Sequence, residues 1–374
     1  MKARKVLVIL VIGMMVLAFA ACGNNNAPAG DDTAAPAPAP AETAPAVTGG
    51  GDVLIGSCVY KFDDTFMTGV RNAMTDTANQ LGAQLEIADS QNKQPTQNEQ
   101  VDTFITKGVD SLAINPVDRT AAGPIADKAK AAGLPIVFFN REPLEDVMQS
   151  YDKIWYVGAR AEESGTMSGA ILVDYFNANP DADKNGDGLI QYVLMQGEPG
   201  HQDAELRTEY SQKAMFDAGW ILAKENYKDT DECLLAIDTA MWDKVKGADL
   251  MKAWIASIGL DKIEAVVANN DDMGLGAIEA LKAEGYNTGD PAKFIPVVSV
   301  DATAPALEAM KDGSLLGTVL NDAVNQGAAT VKIAFVAANG QAIDSASIGY
   351  EVTDGKYVWI PYVKVTKDNF TEFM

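Results

Sequence analysis

Residues 53–81, VLIGSCVYKFDDTFMTGVRNAMTDTANQL, hold the pattern on which the fold turns. The opening run, VLIGSCVY, is almost continuously apolar and too short for a helix of its own, so it reads as a buried strand. After the polar break KFDDT, residues Phe66, Val70, Ala73, Met74 and Leu81 recur at the spacing that lines up one helix face. The same unit repeats along the chain. QLEIADS (84–90) precedes a second helical stretch, and further strand-like runs follow at SLAINP (111–116), PIVFFN (135–140), IWYVG (154–158) and IQYVLMQG (190–197). Others stand at CLLAID (233–238), EAVVANN (264–270), PVVSVD (296–301) and LLGTVLN (315–321). Strands that alternate with helices imply an α/β fold with parallel, doubly wound sheets. At 374 residues with 47% hydrophobic content, the chain has enough apolar material for two cores, so two similar lobes are expected.

The first fifty residues belong to neither lobe. MKARK supplies a positive n-region and VLVILVIGMMVLAFA an apolar run, the pattern of a secretion signal over residues 1–21. That run also approaches membrane-spanning length. The small-residue end, Phe19-Ala20-Ala21-Cys22, resembles the lipobox at which bacterial lipoproteins are cleaved and acylated on the cysteine, although Leu is usual where Phe19 stands. Residues 23–51 are rich in Pro, Ala, Gly and Asn and lack the apolar side chains that would offset the entropy of ordering, so 22–51 reads as a lipidated cysteine plus tether. The protein is therefore expected outside the cytoplasm, held to the bacterial cell membrane only by its lipid. Of the other cysteines, Cys58 falls in a strand and Cys233 at the start of another, and both are expected to be buried free thiols. A formal charge of −23 argues against nucleic acid as a partner.

Open parallel sheets bind ligands beyond the C-terminal ends of their strands. Polar residues concentrate there: Asp63 and Asp64 after the first strand, Asn140 after PIVFF, Asn269 through Asp272 after EAVVA, and Asp301 after PVVSV. Such residues also serve as ordinary turn and N-cap groups, so each alone is ambiguous. The only histidine, His201, follows the turn Gly-Glu-Pro-Gly, and no second His or Cys stands near enough in sequence to suggest zinc. Residues 183–191, DKNGDGLIQ, put Asp183, Asn185 and Asp187 at positions one, three and five of a calcium loop, Gly188 at six, the Leu189 carbonyl at seven and Gln191 at nine. Position twelve is Leu194, so the loop lacks its closing carboxylate. An ordinary Asp/Asn/Gly turn is the competing reading.

The motifs KFDDTFM, NREP, GEPGHQDAE, DTAMWD, ANNDDMG, VDA and TVLND together resemble the periplasmic galactose/glucose-binding proteins, a branch of the type I periplasmic binding proteins. The likeness runs from Asp52 to the C-terminus. It implies two Rossmann-like lobes joined by a three-segment hinge, with 52–158 plus 320–358 in the first and 159–319 plus 359–374 in the second. It implies sugar contacts from Asp64, Phe66, Asn140, His201, Asp203, Arg207, Trp242, Asn270, Asp301 and Asn321. It also supplies the missing calcium ligand from a distant segment, at Glu264. The protein is then expected to be a monomer and no enzyme. It would capture D-galactose or D-glucose, hold a structural Ca2+, and deliver the sugar to an ABC transporter permease.

Independent chemistry agrees with that site. Hexose hydroxyls both donate and accept, so a tight site needs carboxylates, amides and an Arg, while flat aromatics such as Phe66 and Trp242 cover the apolar ring faces. Two other function classes compete. Paired carboxylates beside a sugar also serve glycosidases, although no apolar pocket that would raise the pKa of Asp64, Asp203 or Asp301 is evident. A sensor that docks on a chemoreceptor or kinase ectodomain is the other, for which the resemblance singles out Gly123. No GxxxxGK[ST] loop for nucleotide is present.

Overall fold

The structure, a computed structural model, describes residues 53–374; the signal, Cys22 and the tether lie outside the described residues. In the first lobe, β1 (Leu54–Val59), β2 (Gln84–Asp89), β3 (Ser111–Ile114), β4 (Ile136–Phe139) and β5 (Ile154–Gly158) alternate with α1 (Thr65–Leu81), α2 (Gln94–Lys107), α3 (Ala122–Ala132) and α4 (Glu145–Gln149). The chain then passes to the second lobe. There α5 (Ala161–Ala178) leads into β6 (Tyr192–Gln196), α6 (Gln202–Asp217), β7 (Leu234–Thr239), α7 (Lys244–Ile258) and β8 (Ala265–Ala268). After these come α8 (Asp271–Ala283), β9 (Val297–Val298), α9 (Ala304–Lys311) and β10 (Thr318–Leu320). The chain returns through α10 (Ala323–Ala338), which packs on α1, and α11 (Ser345–Ile348) to β11 (Tyr357–Trp359), then leaves again to end in β12 (Val363–Val365).

The first sheet has the order β11-β5-β4-β3-β1-β2 and the second β7-β6-β8-β9, both entirely parallel; β10 and β12 pair antiparallel. Strand residues alternate between cores on the two faces. Val137, Phe139 and Val157 pack under α1 and α10, whereas Ile136, Phe138 and Ile154 pack on the α2–α3 side. Val193 and Met195 face one core of the second sheet, Tyr192 and Leu194 the other. Because both faces are covered, the inner strands are apolar almost throughout, which is why they were legible as continuous runs, whereas the edge strands β2 and β7 carry polar residues. Cys58 and Cys233 are buried free thiols in different lobes. Among the described residues no helix is long and apolar enough to cross a membrane.

The lobes touch across a cleft. Thr65 donates to Asp272 at 2.8 Å, Arg141 to Glu198 at 2.9 Å, Asn92 to Glu198 at 3.1 Å and Gln202 to Glu142 at 3.4 Å, each bond joining first lobe to second. Strand order reverses around β1 in the first sheet and around β6 and β8 in the second. The segments that leave those strands point into the cleft from either side, the place where such sheets bind ligands.

Candidate binding site between the lobes

All ten residues expected to touch sugar line a single cavity between the lobes. The helices build much of it. Asp64 is the N-cap of α1 and accepts the Met67 N–H at 2.8 Å. His201 caps α6 through Nδ1, which accepts the Asp203 N–H at 3.1 Å, and Asn270 caps α8 through an oxygen that accepts the Met273 N–H at 3.1 Å. Capping and lining are thus the same residues. Sequence reasoning missed Tyr60, Met67 and Arg141, which also line the cavity. Each lies beside or within a quoted motif: Tyr60 ends VLIGSCVY, Met67 ends KFDDTFM, and Arg141 follows Asn140 in NREP. Asp63 is different, because its side chain turns to solvent and pairs with Lys61.

Protein hydrogen bonds fix what each group can offer a ligand. Asn140 spends its oxygen on the Asn115 amide at 3.1 Å, which leaves its NH2 as the free donor. Asn270, with its oxygen on Met273, is left the same way. Asn321 accepts from Gln326 at 2.6 Å and donates to Asp301 at 3.3 Å. Asp64 also accepts from the Tyr60 hydroxyl, and the Arg141 guanidinium lies 3.9 Å over the Tyr60 ring. Arg207 donates to the Asn269 carbonyl at 2.8 Å and the Tyr362 hydroxyl at 3.1 Å and stands 3.5 Å from Asp203. Its Nε has no protein acceptor, and neither do Arg141 Nε and Trp242 Nε1, although all three are buried. Unmet buried donors cost about 1–3 kcal/mol each, and a ligand rich in oxygen is what would meet them.

The close approach of α5 to α6 holds Arg207 in place. A Cβ on Gly169 would stand 2.3 Å from the Ser211 carbonyl, and one on Gly165 would stand 3.0 Å from Arg207 Cα, so only glycine lets the helices meet here.

The backbone is strained around the cavity. Asn140, Met241, Trp242, Asp301 and Ala302 all take positive φ, a region that costs non-glycine residues about 1–3 kcal/mol each. Trp242, 6% exposed, lays its indole where a Cβ on Gly197 would be, 2.0 Å from Cζ2. The His201 ring meets it edge-on at 5.1 Å. Phe66, in the first turn of α1, faces the cavity from the other lobe.

The charge states correct one sequence expectation. Burial does raise the carboxyls of Asp203 and Asp301 above the ordinary range, with Arg207 pulling both the other way. The cleft supplies the low-polarity surroundings that no local stretch of sequence displayed. His201 is displaced downward, by burial first and then by Arg141, Arg207 and Arg119, so it stays neutral with its proton on Nε2. A histidine that cannot charge when folded destabilises the native state once the unfolded chain takes up a proton. Below pH about 6.5, wild type should therefore lose about 1.4 kcal/mol of stability per pH unit more than His201→Asn, which keeps the N-cap acceptor. Since His201 is the chain's only histidine, parallel denaturation curves for the two proteins between pH 7 and 5.5 would refute its neutral state.

Asp271 touches no cavity space yet ties the site together. Fully buried, it accepts from Ser299 at 2.5 Å, the Thr303 N–H at 2.7 Å, the Thr303 hydroxyl at 3.0 Å and Thr318 at 2.7 Å. It thereby anchors the start of α8, the Asp301 turn and β10 on one carboxylate. Asp271→Ala should destabilise the sugar-free protein by about 3 kcal/mol in urea unfolding, because it strands several buried donors. A loss under about 1 kcal/mol would mean the network is dispensable.

The loop 183–191 lies apart from the cleft. Asp183 accepts the Gly186 and Gly188 N–H groups at 2.7 and 2.8 Å, and Asp187 accepts the Leu189 N–H at 2.8 Å. Asn185 and Gln191 turn their amide nitrogens onto Asp187 Oδ2 at 2.9 and 3.0 Å. Glu264, 2% exposed, reaches the loop from the start of β8 and accepts the Lys184 N–H at 2.6 Å and the Gln191 N–H at 3.0 Å. Burial raises its carboxyl, and it forms no ion pair among the described residues.

Comparison with known proteins gives a consistent answer. The periplasmic binding protein domain model matches residues 55–342. The D-galactose/methyl-galactoside binding periplasmic protein of Haemophilus influenzae is 42% identical over 86% of this chain and 92% of its own length. A xylitol-binding protein of Mycolicibacterium smegmatis is 31% identical over 98% of this chain and 86% of its own. Among solved structures, an ABC transporter solute-binding protein from Bacillus halodurans with bound myo-inositol superposes with a TM-score of 0.70 at 32% identity, covering 87% of this chain and 99% of that one.

Proposed function

The chain belongs to the periplasmic binding protein family, and on that premise we propose that it captures D-galactose or D-glucose between its lobes and delivers the sugar to an ABC transporter permease. The family is one of extracytoplasmic solute-binding proteins, with the type I α/β fold. The observation that carries the sugar reading is the composition of the interlobe cavity. Carboxylates, amides with free NH2 groups and unmet guanidinium and indole donors surround it, with Phe66 and Trp242 contributed by opposite lobes. That is the inventory a pyranose requires. Closure is a population shift toward the state in which both lobes touch the sugar. The closed face is then what the permease reads.

Calorimetric titration of the refolded, sugar-free protein with D-galactose, D-glucose, D-ribose and D-xylose tests this. One-site binding of a hexose, with pentoses much weaker, is expected. Silence from both hexoses sinks the reading, and turnover of a nitrophenyl hexoside would sink the purely binding role.

Calcium in the 183–191 loop is part of the same proposal. Among the described residues no three carboxylate, imidazole or thiol side chains gather closely enough to hold a metal, so amide and carbonyl oxygens must contribute. The donor chemistry fits a hard cation: Asp183, Asn185, Asp187, the Leu189 carbonyl, Gln191 and the buried, unpaired Glu264 are all oxygen donors. Bound there, calcium would neutralise these carboxylates and pin the loop to β8. We further propose that Cys22 carries the lipid and that the protein works as a monomer. Presentation of the closed form to a receptor ectodomain would use the same conformation. Only the half-buried position of Gly123 on α3 bears on it, so transport is the reading kept.

A further inference from the structure

A second cavity adjoins the first and shares Arg141, His201 and Asp203 with it. By the same measure its empty space is about 850 Å3 against about 360 Å3, more than twice as large. Both lobes wall it. Val117, Thr120 and Glu142 come from the first, Glu198, Pro199 and Gln202 from the second. Two of the interlobe bonds, Arg141 to Glu198 and Gln202 to Glu142, run between its wall residues. The space therefore exists with the lobes in contact, and filling it does not require the cleft to open.

Its chemistry selects the occupant. Guanidinium groups of Arg119 and Arg141 stand among the carboxylates of Asp118, Glu142, Glu198 and Asp203, an excess of acid that disfavours an anion, while Glu198 is already paired with Arg141. Val117 and Pro199 add apolar surface. Arg119 spends its Nε on the Glu142 carbonyl, whereas Arg141 Nε, on the boundary between the cavities, has no protein acceptor although Arg141 is only 5% exposed. A neutral, hydroxyl-bearing group suits such a wall better than an ion. We propose that this cavity is a subsite for a second sugar ring, joined to the captured hexose through the hydroxyl nearest His201 and Asp203, so that the protein takes disaccharides as well as free hexose. A methyl substituent needs no such room. The inference rests on hexose capture in the first cavity.

The test is titration of the purified protein with free D-galactose and D-glucose beside melibiose, gentiobiose and lactose, which present the hexose through different linkages. At least one disaccharide should bind within about 100-fold of the free hexose. Thr120→Trp, or Pro199→Trp from the opposite wall, should weaken that disaccharide at least about tenfold and leave the free hexose within about twofold. Both positions are exposed and outside the first cavity. Free hexose binding with no disaccharide bound at about 10 mM overturns the subsite alone. So does disaccharide binding that neither variant alters. Absence of any hexose binding removes the first-cavity reading and the subsite with it.

Discussion

Trp242→Ala will weaken hexose binding by about 100-fold, while Trp242→Phe will recover most of the loss. Truncating a central aromatic anchor costs about 2–4 kcal/mol, and each 1.4 kcal/mol is a factor of ten. The indole of Trp242 is held from behind by Gly197, at its edge by His201 and beside the Arg207 guanidinium at 5.8 Å, so its orientation is fixed before any ligand arrives. Preorganisation of this kind makes the loss large, because no ordering cost is recovered when the ring is removed. The alternative is that Trp242 is merely core. In that case unfolding stability would fall by about 3–5 kcal/mol and the affinity of the folded fraction would not change. Titration and urea unfolding on the same samples separate these outcomes, and unaltered affinity means the sugar lies elsewhere.

The elements and most of the site were legible because each βα unit announces itself locally. A buried parallel strand must be apolar on both faces, and the helix that follows needs a cap at the strand's C-terminal end. Asp64, His201 and Asn270 satisfy that local requirement and line the cavity as well. The choice between cap and binding group was therefore not a real alternative. One oxygen or ring nitrogen faces the helix, and the rest of the side chain faces the cleft.

What the sequence hid depends on contact between distant segments. The pairing of β10 with β12 rests on strands of only three residues each, too short to show a period. Arg141 looks like an ordinary residue after Asn140 until the second lobe brings Glu198 to it. The raised carboxyls of Asp203 and Asp301 are equally invisible locally, since burial in the folded protein is the leading cause. Positive φ at Met241 and Trp242 carries no sequence signature either, because neither is among the residue types that favour it.

The second large effect concerns the loop away from the sugar: if calcium binds there as proposed, Glu264→Gln will abolish most of the stabilisation it gives. A ligand present at about 1,000 times its dissociation constant stabilises the folded state by about 4 kcal/mol, so wild type should unfold at markedly higher temperature in calcium than in chelator. Glu264 is the carboxylate that joins the loop to β8, and the substitution removes its charge while keeping its shape. Some cost in chelator is expected too. One glutamine oxygen cannot replace both carboxylate oxygens that accept from Lys184 and Gln191, and a stranded buried N–H costs about 1–3 kcal/mol. The informative quantity is therefore the calcium-minus-chelator difference, which cancels that structural cost. A difference that collapses in the variant assigns calcium to this loop. Equal shifts in wild type and variant would make the loop an ordinary Asp/Asn/Gly turn, leaving Glu264 to act only as the acceptor that joins the loop to β8.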